Sequence, residues 1–400
     1  MKILVMNCGS SSLKYQLVDM NGEEVLAKGI CERIGIEGSV LTHKPTGKDK
    51  VKKVTEMKDH KRAVELVLEA LLDPVCGVIK DVSEITAVGH RVLHGGKELT
   101  KSCLVDQHVK DVIRECFDLG PLHNPANLIG IEACEAAMPG TPNVAVFDTS
   151  FGMGMEPKAY RYAIPDKWYD EYGVRRYGFH GTSHNFVSHE TIKYLGLDPE
   201  TARVIVCHLG NGASVSASRG GVCVDTSMGL TPLEGLIMGT RSGDVDPAVV
   251  QFMTNHEGCT VDETLNTLNK KSGMLALSGG LSSDFRDIEE GIANGNERAV
   301  LAMETYCYHL AKYVGSYITA LGGADAIVFT AGVGEHRAGV RRRTLEYLKV
   351  FGVRYDEALN QAACEGDEMV ISAPSSAITV AVIPTNEELA IARDTLALVR

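Results

Sequence analysis

Residues 60–72 place Val64, Val67, Leu68 and Leu71 at the i, i+3, i+4, i+7 spacing of one helix face, which predicts an amphipathic α-helix. Val109, Val112, Ile113 and Cys116 repeat that spacing in a second. Elsewhere the apolar runs are short, β-branched and bounded by turn residues. Ile3–Met6, Leu13–Val18, Val25–Lys28, Ile85–Val88 and Asn143–Phe147 read as strands, with Asn21-Gly22 as a hairpin turn. In the second half a long helix is expected over 297–321 behind an Asn296 cap, leading into a buried strand, Ala326–Thr330. A last strand, Ile378–Ile383, stops at Pro384, and Thr385 or Asn386 then caps a terminal helix. Strands alternating with helices define an α/β class.

One pattern occurs twice. Residues 203–226 repeat the opening design of apolar strand, glycine turn, strand, Gly-Gly hairpin and strand, with Asn7-Cys8-Gly9 falling on His208-Leu209-Gly210. This predicts a duplicated domain with a cleft between the halves. The stretch around 148–165, rich in Gly, Met and Pro, is the expected crossover.

Composition narrows the partners. The chain is 44% hydrophobic and 23% charged with 41 Gly, an ordinary globular balance that argues against disorder. Forty basic against 52 acidic side chains give a net charge of −12, so no nucleic-acid partner is expected. An anionic small molecule fits only where a few arginines override that field locally. Eleven scattered cysteines with no CxxC read as reduced thiols of a cytoplasmic protein. The opening apolar run of four residues is too short for a signal-peptide core, and no run is long enough to span a membrane, so no membrane association is expected.

Three glycine turns follow apolar strands: Asn7–Ser12, Gly210–Ser214 and Gly332–Glu335. Glycine lets backbone N–H groups approach an anion, and Ser10, Ser12 and the asparagines add short polar groups, with Lys14 just beyond. Each is otherwise a simple hairpin. No GxxxxGK[ST] is present, and no GxGxxG follows the first strand. Arg91, in Gly89–Gly96 directly after a strand, and Arg241, in Met238–Asp244, are placed either to offer a planar fork to carboxylate or phosphate or to make a structural ion pair.

His90/His94 and His180/His184 have i, i+4 spacing, but glycine breaks the helix at His180 and HExxH is absent, which disfavours a zinc site. His180 is read as a donor to an anion, or else as a satisfied loop histidine. His184 and His189 are expected on a helix capped by Ser183. Asp148 at a strand end and Glu387 at a helix start are candidate Mg²⁺ groups, or a turn cap and a helix-dipole partner respectively.

Taken together, Val5–Lys14, Val88–Gly96, Arg176–His184, His208–Gly212 and Met228–Pro247 resemble the signature segments of the acetate kinase (short-chain acyl kinase) family, within the actin/Hsp70/sugar-kinase superfamily. The resemblance implies two duplicated actin-like (ribonuclease H-like) domains: 1–148 completed by 385–400, and 149–384. It implies transfer of the ATP γ-phosphoryl group to acetate, giving acetyl phosphate and ADP. Asn7 and Glu387 would support Mg²⁺ (or Mn²⁺), with Lys14, Ser10 and Ser12 near the phosphates. Arg91, Arg241 and His180 would meet carboxylate and transferring phosphoryl. His208, Leu209, Gly210, Asn211 and Gly212 would form a phosphate loop. Asp284, Phe285 and Arg286 would surround the adenosine with Gly332, Val333, Gly334, Glu335 and His336. Asp148 falls at the family's catalytic aspartate. Because acetate is already ionised, Asp148 is read as an orienting group, with a base role as the alternative. Leu93, Leu122, Phe179 and Pro232 match an acyl pocket, and a homodimer is implied.

Leu93 stands where Val is familiar, and the extra methylene should favour acetate over longer acids. Lys97 and His336 are further departures, for Glu and Asn. The rivals are a propionate or butyrate kinase, an actin- or Hsp70-like switch ATPase and, more distantly, a histidine metallohydrolase. Arg91→Ala and Arg241→Ala are both expected to fold and to lose most activity.

Overall fold

The β-branched runs pair into two sheets, each the core of its own unit. The computed structural model describes residues 1–121 and 123–400, so Leu122 lies outside the described residues. One unit comprises Met1–Ser150 and Asn386–Arg400, the other Phe151–Thr385.

The first sheet contains β1 (Lys2–Cys8), β2 (Ser12–Asp19), β3 (Glu24–Glu32), β4 (Val40–Pro45), β5 (Val51–Val54), β6 (Ile85–Val92), β7 (Cys103–Leu104) and β8 (Asn143–Phe147). Its order is β5-β4-β3-β2-β1-β6-β8-β7. The second contains β9 (Arg203–Leu209), β10 (Ala213–Arg219), β11 (Val222–Thr226), β12 (Ala326–Thr330), β13 (Met369–Val370) and β14 (Thr379–Val382), in the order β11-β10-β9-β12-β14-β13. In each, three consecutive strands form an antiparallel meander whose first strand pairs in parallel with a later one, which pairs in parallel with a further one. Thus β3-β2-β1-β6-β8 and β11-β10-β9-β12-β14 share order and sense. The repeat read from the glycine turns is a duplicated α/β topology.

Alternation along β1 shows how the first core is built, because side chains two apart share a face. Leu4, Met6 and Cys8 pack with Val64, Val67 and Leu71 of the helix His60–Leu72. Ile3 and Val5 turn the other way, onto Ile391 and Ala392 of the helix Glu387–Val399. That helix presses so close to β6 that a Cβ on Gly89 would fall 2.4 Å from Thr395 Oγ1, which is why glycine stands there.

Four local expectations change. β6 continues through Arg91, held by the parallel register Arg91↔Val146, so Arg91 sits in the strand rather than after it. Asn7 and Cys8 likewise stay in β1, paired with Lys14 and Leu13. Ala331–His336 is a short helix, not a glycine turn: Glu335 Oε1 accepts the Ala331 N–H at 2.7 Å and closes it, with Ala331 at φ 63°. Ser183 does not cap its helix. Gly181–Tyr194 starts after His180 at φ 57°, and the Ser183 hydroxyl instead meets His208 Nδ1 at 2.7 Å and Thr385 Oγ1 at 2.8 Å. Among the described residues no helix is long and apolar enough to cross a membrane.

Candidate functional site

In the first unit, strand ends and the start of one helix gather five of the expected residues: Asn7, Lys14, Arg91, Asp148 and Glu387. Arg91 Nη2 meets Asp148 Oδ2 at 2.5 Å and Nε meets Oδ1 at 3.2 Å, a two-pronged pair in which the Asp148 side chain is 1% exposed. Arg91 Nη1 also reaches Asn7 Oδ1 at 3.5 Å. Arg91 therefore makes an ion pair with Asp148, which serves it rather than a turn.

Glu387 opens the terminal helix, for which Asn386 is the N-cap. Its side chain is half-buried by surface yet ringed closely enough by protein to be poorly solvated. That burial, then the negative charge of Asp148, pushes its carboxyl up to about 7, against the pull of Arg91 and Lys14. Two carboxylates thus share chiefly one guanidinium. The carboxylate oxygens and the Asn7 carboxamide oxygen are hard donors of the kind a divalent Mg²⁺ takes.

Glu387 also carries a pH dependence. Between pH 4.5 and about 7 the folded state keeps a proton that the unfolded chain releases, so this contribution is present below 4.5 and lost as pH rises through 7. In metal-free buffer, Glu387→Gln is expected to have a higher urea midpoint than the parent above pH 7 and the same midpoint below about 4.5. A lower midpoint for the variant above pH 7 would mean that the charged carboxylate is well satisfied.

In the second unit, His180 Nδ1 lies 2.8 Å from Ser214 Oγ, and its ring stacks on His208 at 4.2 Å. Behind it, buried His184 sits between Ser214 Oγ (2.7 Å, Nε2) and Ser216 Oγ (2.8 Å, Nδ1). Burial, and secondarily His208, drives His184 far below the usual imidazole range, so it is neutral. Among the described residues no group of three His, Cys, Asp or Glu is placed to hold a metal.

The loop carrying Arg241 packs on the turn Gly210–Gly212, which is shorter than expected because Ala213 and Ser214 already belong to β10: Gly239 N–H donates to Asn211 O at 2.9 Å, and a Cβ on Gly239 would strike Asn211 Oδ1 at 2.0 Å. A Cβ on Gly212 would lie 3.4 Å from His180 Nε2 and 3.5 Å from Arg241 Nη1, so imidazole, guanidinium and glycine backbone converge on one point. Among the described residues the Arg241 guanidinium hydrogen-bonds only to Pro232 O at 3.4 Å and Met238 Sδ at 3.7 Å, and no carboxylate is within ion-pair distance. Burial pulls its pKa down. A desolvated cation without a counter-ion is a receptor for an anion.

Next to that turn a cavity of about 360 Å³ is lined by Gly210, Asn211, Asp284, Phe285, Arg286, Gly332 and Val333, which sequence reading grouped, and by Ser283 and Arg337, which it missed. Asp284 caps the helix Phe285–Ala293 and pairs with Arg286 at 2.6 Å. Leu209, Gly334, Glu335 and His336 do not line this cavity. Glu335 Oε1 also accepts the Thr385 N–H at 3.1 Å, and His336 Nδ1 faces Cys364 O at 3.1 Å. Of the acyl-pocket residues, Leu93 is buried in the first unit with its N–H held by Asn127 Oδ1 at 3.0 Å, while Phe179 and Pro232 belong to the second. Asn127, together with Asn124 on the His94 N–H, was not singled out from sequence.

The family model described as the acetokinase family matches residues 2–393. The acetate kinase of Treponema denticola is 56% identical over 400 residues, covering 100% of each chain. The crystal structure of Porphyromonas gingivalis acetate kinase has a TM-score of 0.95 at 48% identity and 100% coverage of both chains. A propionate kinase from Francisella tularensis has a TM-score of 0.92 at 39% identity, with 99% of each chain covered. Likeness of that extent takes in every strand and loop described above. The chain belongs to the acetokinase family.

Proposed function

We propose that the protein transfers the γ-phosphoryl group of ATP reversibly to acetate, giving acetyl phosphate and ADP by direct in-line displacement. The observation that carries this reading is the convergence of His180 and the Gly212 backbone on Arg241, a cation that has no carboxylate of its own. Phosphoryl transfer between two anions gains most from neutralised charge and fixed geometry. Arg91 and Arg241 take acetate carboxylate and the transferring phosphoryl, with His180 also on that phosphoryl, while Asp148 orients Arg91. The acetate oxygen attacks already ionised, so no base is required.

The cavity beside Gly210 takes the nucleoside between Asp284–Arg286 and Gly332–Val333. His208–Gly212, Lys14, Ser10 and Ser12 serve the phosphates. Asn7 and Glu387 would hold Mg²⁺ (or Mn²⁺), which when bound offsets phosphate charge. The resemblance assigns Leu93, Leu122, Phe179 and Pro232 to the acyl group. We further propose a cytoplasmic homodimer acting on these small molecules alone, without nucleic acid or membrane.

Hydroxylamine trapping tests the reading. Purified protein with ATP, Mg²⁺ and acetate is expected to yield hydroxamate, with kcat/KM falling from acetate to propionate to butyrate. Phosphate release without hydroxamate would favour the switch ATPase. A several-fold preference for propionate or butyrate would favour the longer-acid reading, which the Francisella tularensis likeness keeps in view.

A further inference from the structure

With no ion pair to anchor it, Arg241 is placed by the loop that carries it, between Thr226 and Asp244. Arg176 reaches into the near end of that loop. Its Nη1 donates to Thr226 O at 2.9 Å and Ser227 O at 3.1 Å, and its Nη2 pairs with Glu234 Oε1 at 2.5 Å. The other oxygen of Glu234 accepts from the Tyr162 hydroxyl, whose oxygen in turn accepts the Leu230 N–H at 3.0 Å. Pro232, whose carbonyl oxygen accepts from Arg241, lies between these two ties.

The fit has no slack. A Cβ on Gly229 would fall 1.7 Å from Glu234 Oε2 and 2.2 Å from the Tyr162 hydroxyl oxygen. Gly229 O also accepts the Tyr177 N–H at 3.0 Å, which stitches the segment leading to Phe179 and His180 onto the same loop. At the far end Asp244 Oδ1 accepts the Gly235 N–H at 2.8 Å, and the Tyr313 hydroxyl donates to Oδ2 at 2.5 Å.

We infer that Tyr162, Arg176 and Glu234 form a positioning clamp that sets Pro232 and the Arg241 guanidinium, and thereby the affinity for acetate. None of the three is a catalytic residue; each acts through the loop. The inference rests on the reading of Arg241 and Pro232 as acetate-site residues given above.

Tyr162→Phe is the gentlest test, because it keeps the ring and removes one hydroxyl that both donates and accepts. Losing a buried partner of this kind is expected to raise the acetate KM about tenfold while the ATP KM stays within about twofold. Glu234→Gln, which neutralises the clamp without shortening it, should show the same split, and it serves if the phenylalanine variant fails to fold. In an Arg241→Ala background, Tyr162→Phe is expected to change acetate kcat/KM by no more than about threefold, since the main group to be placed is gone. A merely structural role would lower the urea midpoint equally in both backgrounds and move both KM values together. Equal rises in both KM values, or an undiminished effect in the Arg241→Ala background, overturn the clamp. Normal hydroxamate formation by the parent with an unmoved acetate KM in both variants overturns the clamp alone. A parent inactive on acetate overturns the functional reading and the clamp with it.

Discussion

Arg241→Ala is expected to lower acetate kcat/KM by about 10²–10³-fold, the usual cost of removing one preorganised group facing transition-state charge. The same substitution should shift the urea midpoint by no more than about 1 kcal/mol equivalent, as for a side chain outside any buried network. Both halves of that expectation come from its surroundings: two long contacts, no carboxylate partner, and a position shared with His180 and the Gly212 backbone. Truncation deletes a poorly solvated charge and strands no partner. Steady-state kinetics beside urea denaturation check it. Turnover within tenfold of the parent would remove Arg241 from the reacting groups.

Arg91→Ala is expected to behave differently, and here the structure revises the expectation drawn from sequence that both alanine variants fold normally. Asp148 is 1% exposed and bound by two guanidinium nitrogens, with Glu387 close enough to feel its charge. Removing one partner of a buried pair leaves an uncompensated charge and commonly costs about 3–5 kcal/mol. A large fall in urea midpoint should therefore accompany the loss of activity. The double variant Arg91→Met/Asp148→Asn neutralises both sides and should recover more than half of that stability while staying about 10²-fold below parent activity. A parental midpoint in Arg91→Ala would show that the pair adds nothing to the fold.

These two arginines show how far the sequence could be read. Both were visible as cations flanked by glycine in loops or strand ends, but what each one touches was not. The partner of Arg91 lies 57 residues away, and the absence of a carboxylate at Arg241 is a property of three-dimensional neighbours. Strand and helix periodicity was legible because burial imposes it locally: the helix His60–Leu72 and the strand Asn143–Phe147 fall where the apolar spacing puts them. Side-chain networks leave no such period. Nothing in the spacing of Tyr162, Arg176 and Glu234, or of His184 with Ser214 and Ser216, announces that they meet. Ala331–His336 misled for a related reason. Two glycines suggested a turn, whereas the Glu335 carboxylate, closing back on the Ala331 N–H, made a helix.

The helix Glu387–Val399 has a consequence for how the chain is made. It covers the Ile3–Val5 face of the first sheet, yet it is translated only after the whole second unit. A nascent chain emerging from the ribosome therefore finishes the later-born unit while one side of the earlier one is still bare and liable to aggregate. Synthesis of residues 386–400, rather than of residue 150, is what gives the first unit its missing wall. Stalling or premature termination shortly before Asn386 would leave a product with one finished half and one sticky half, a natural substrate for chaperones.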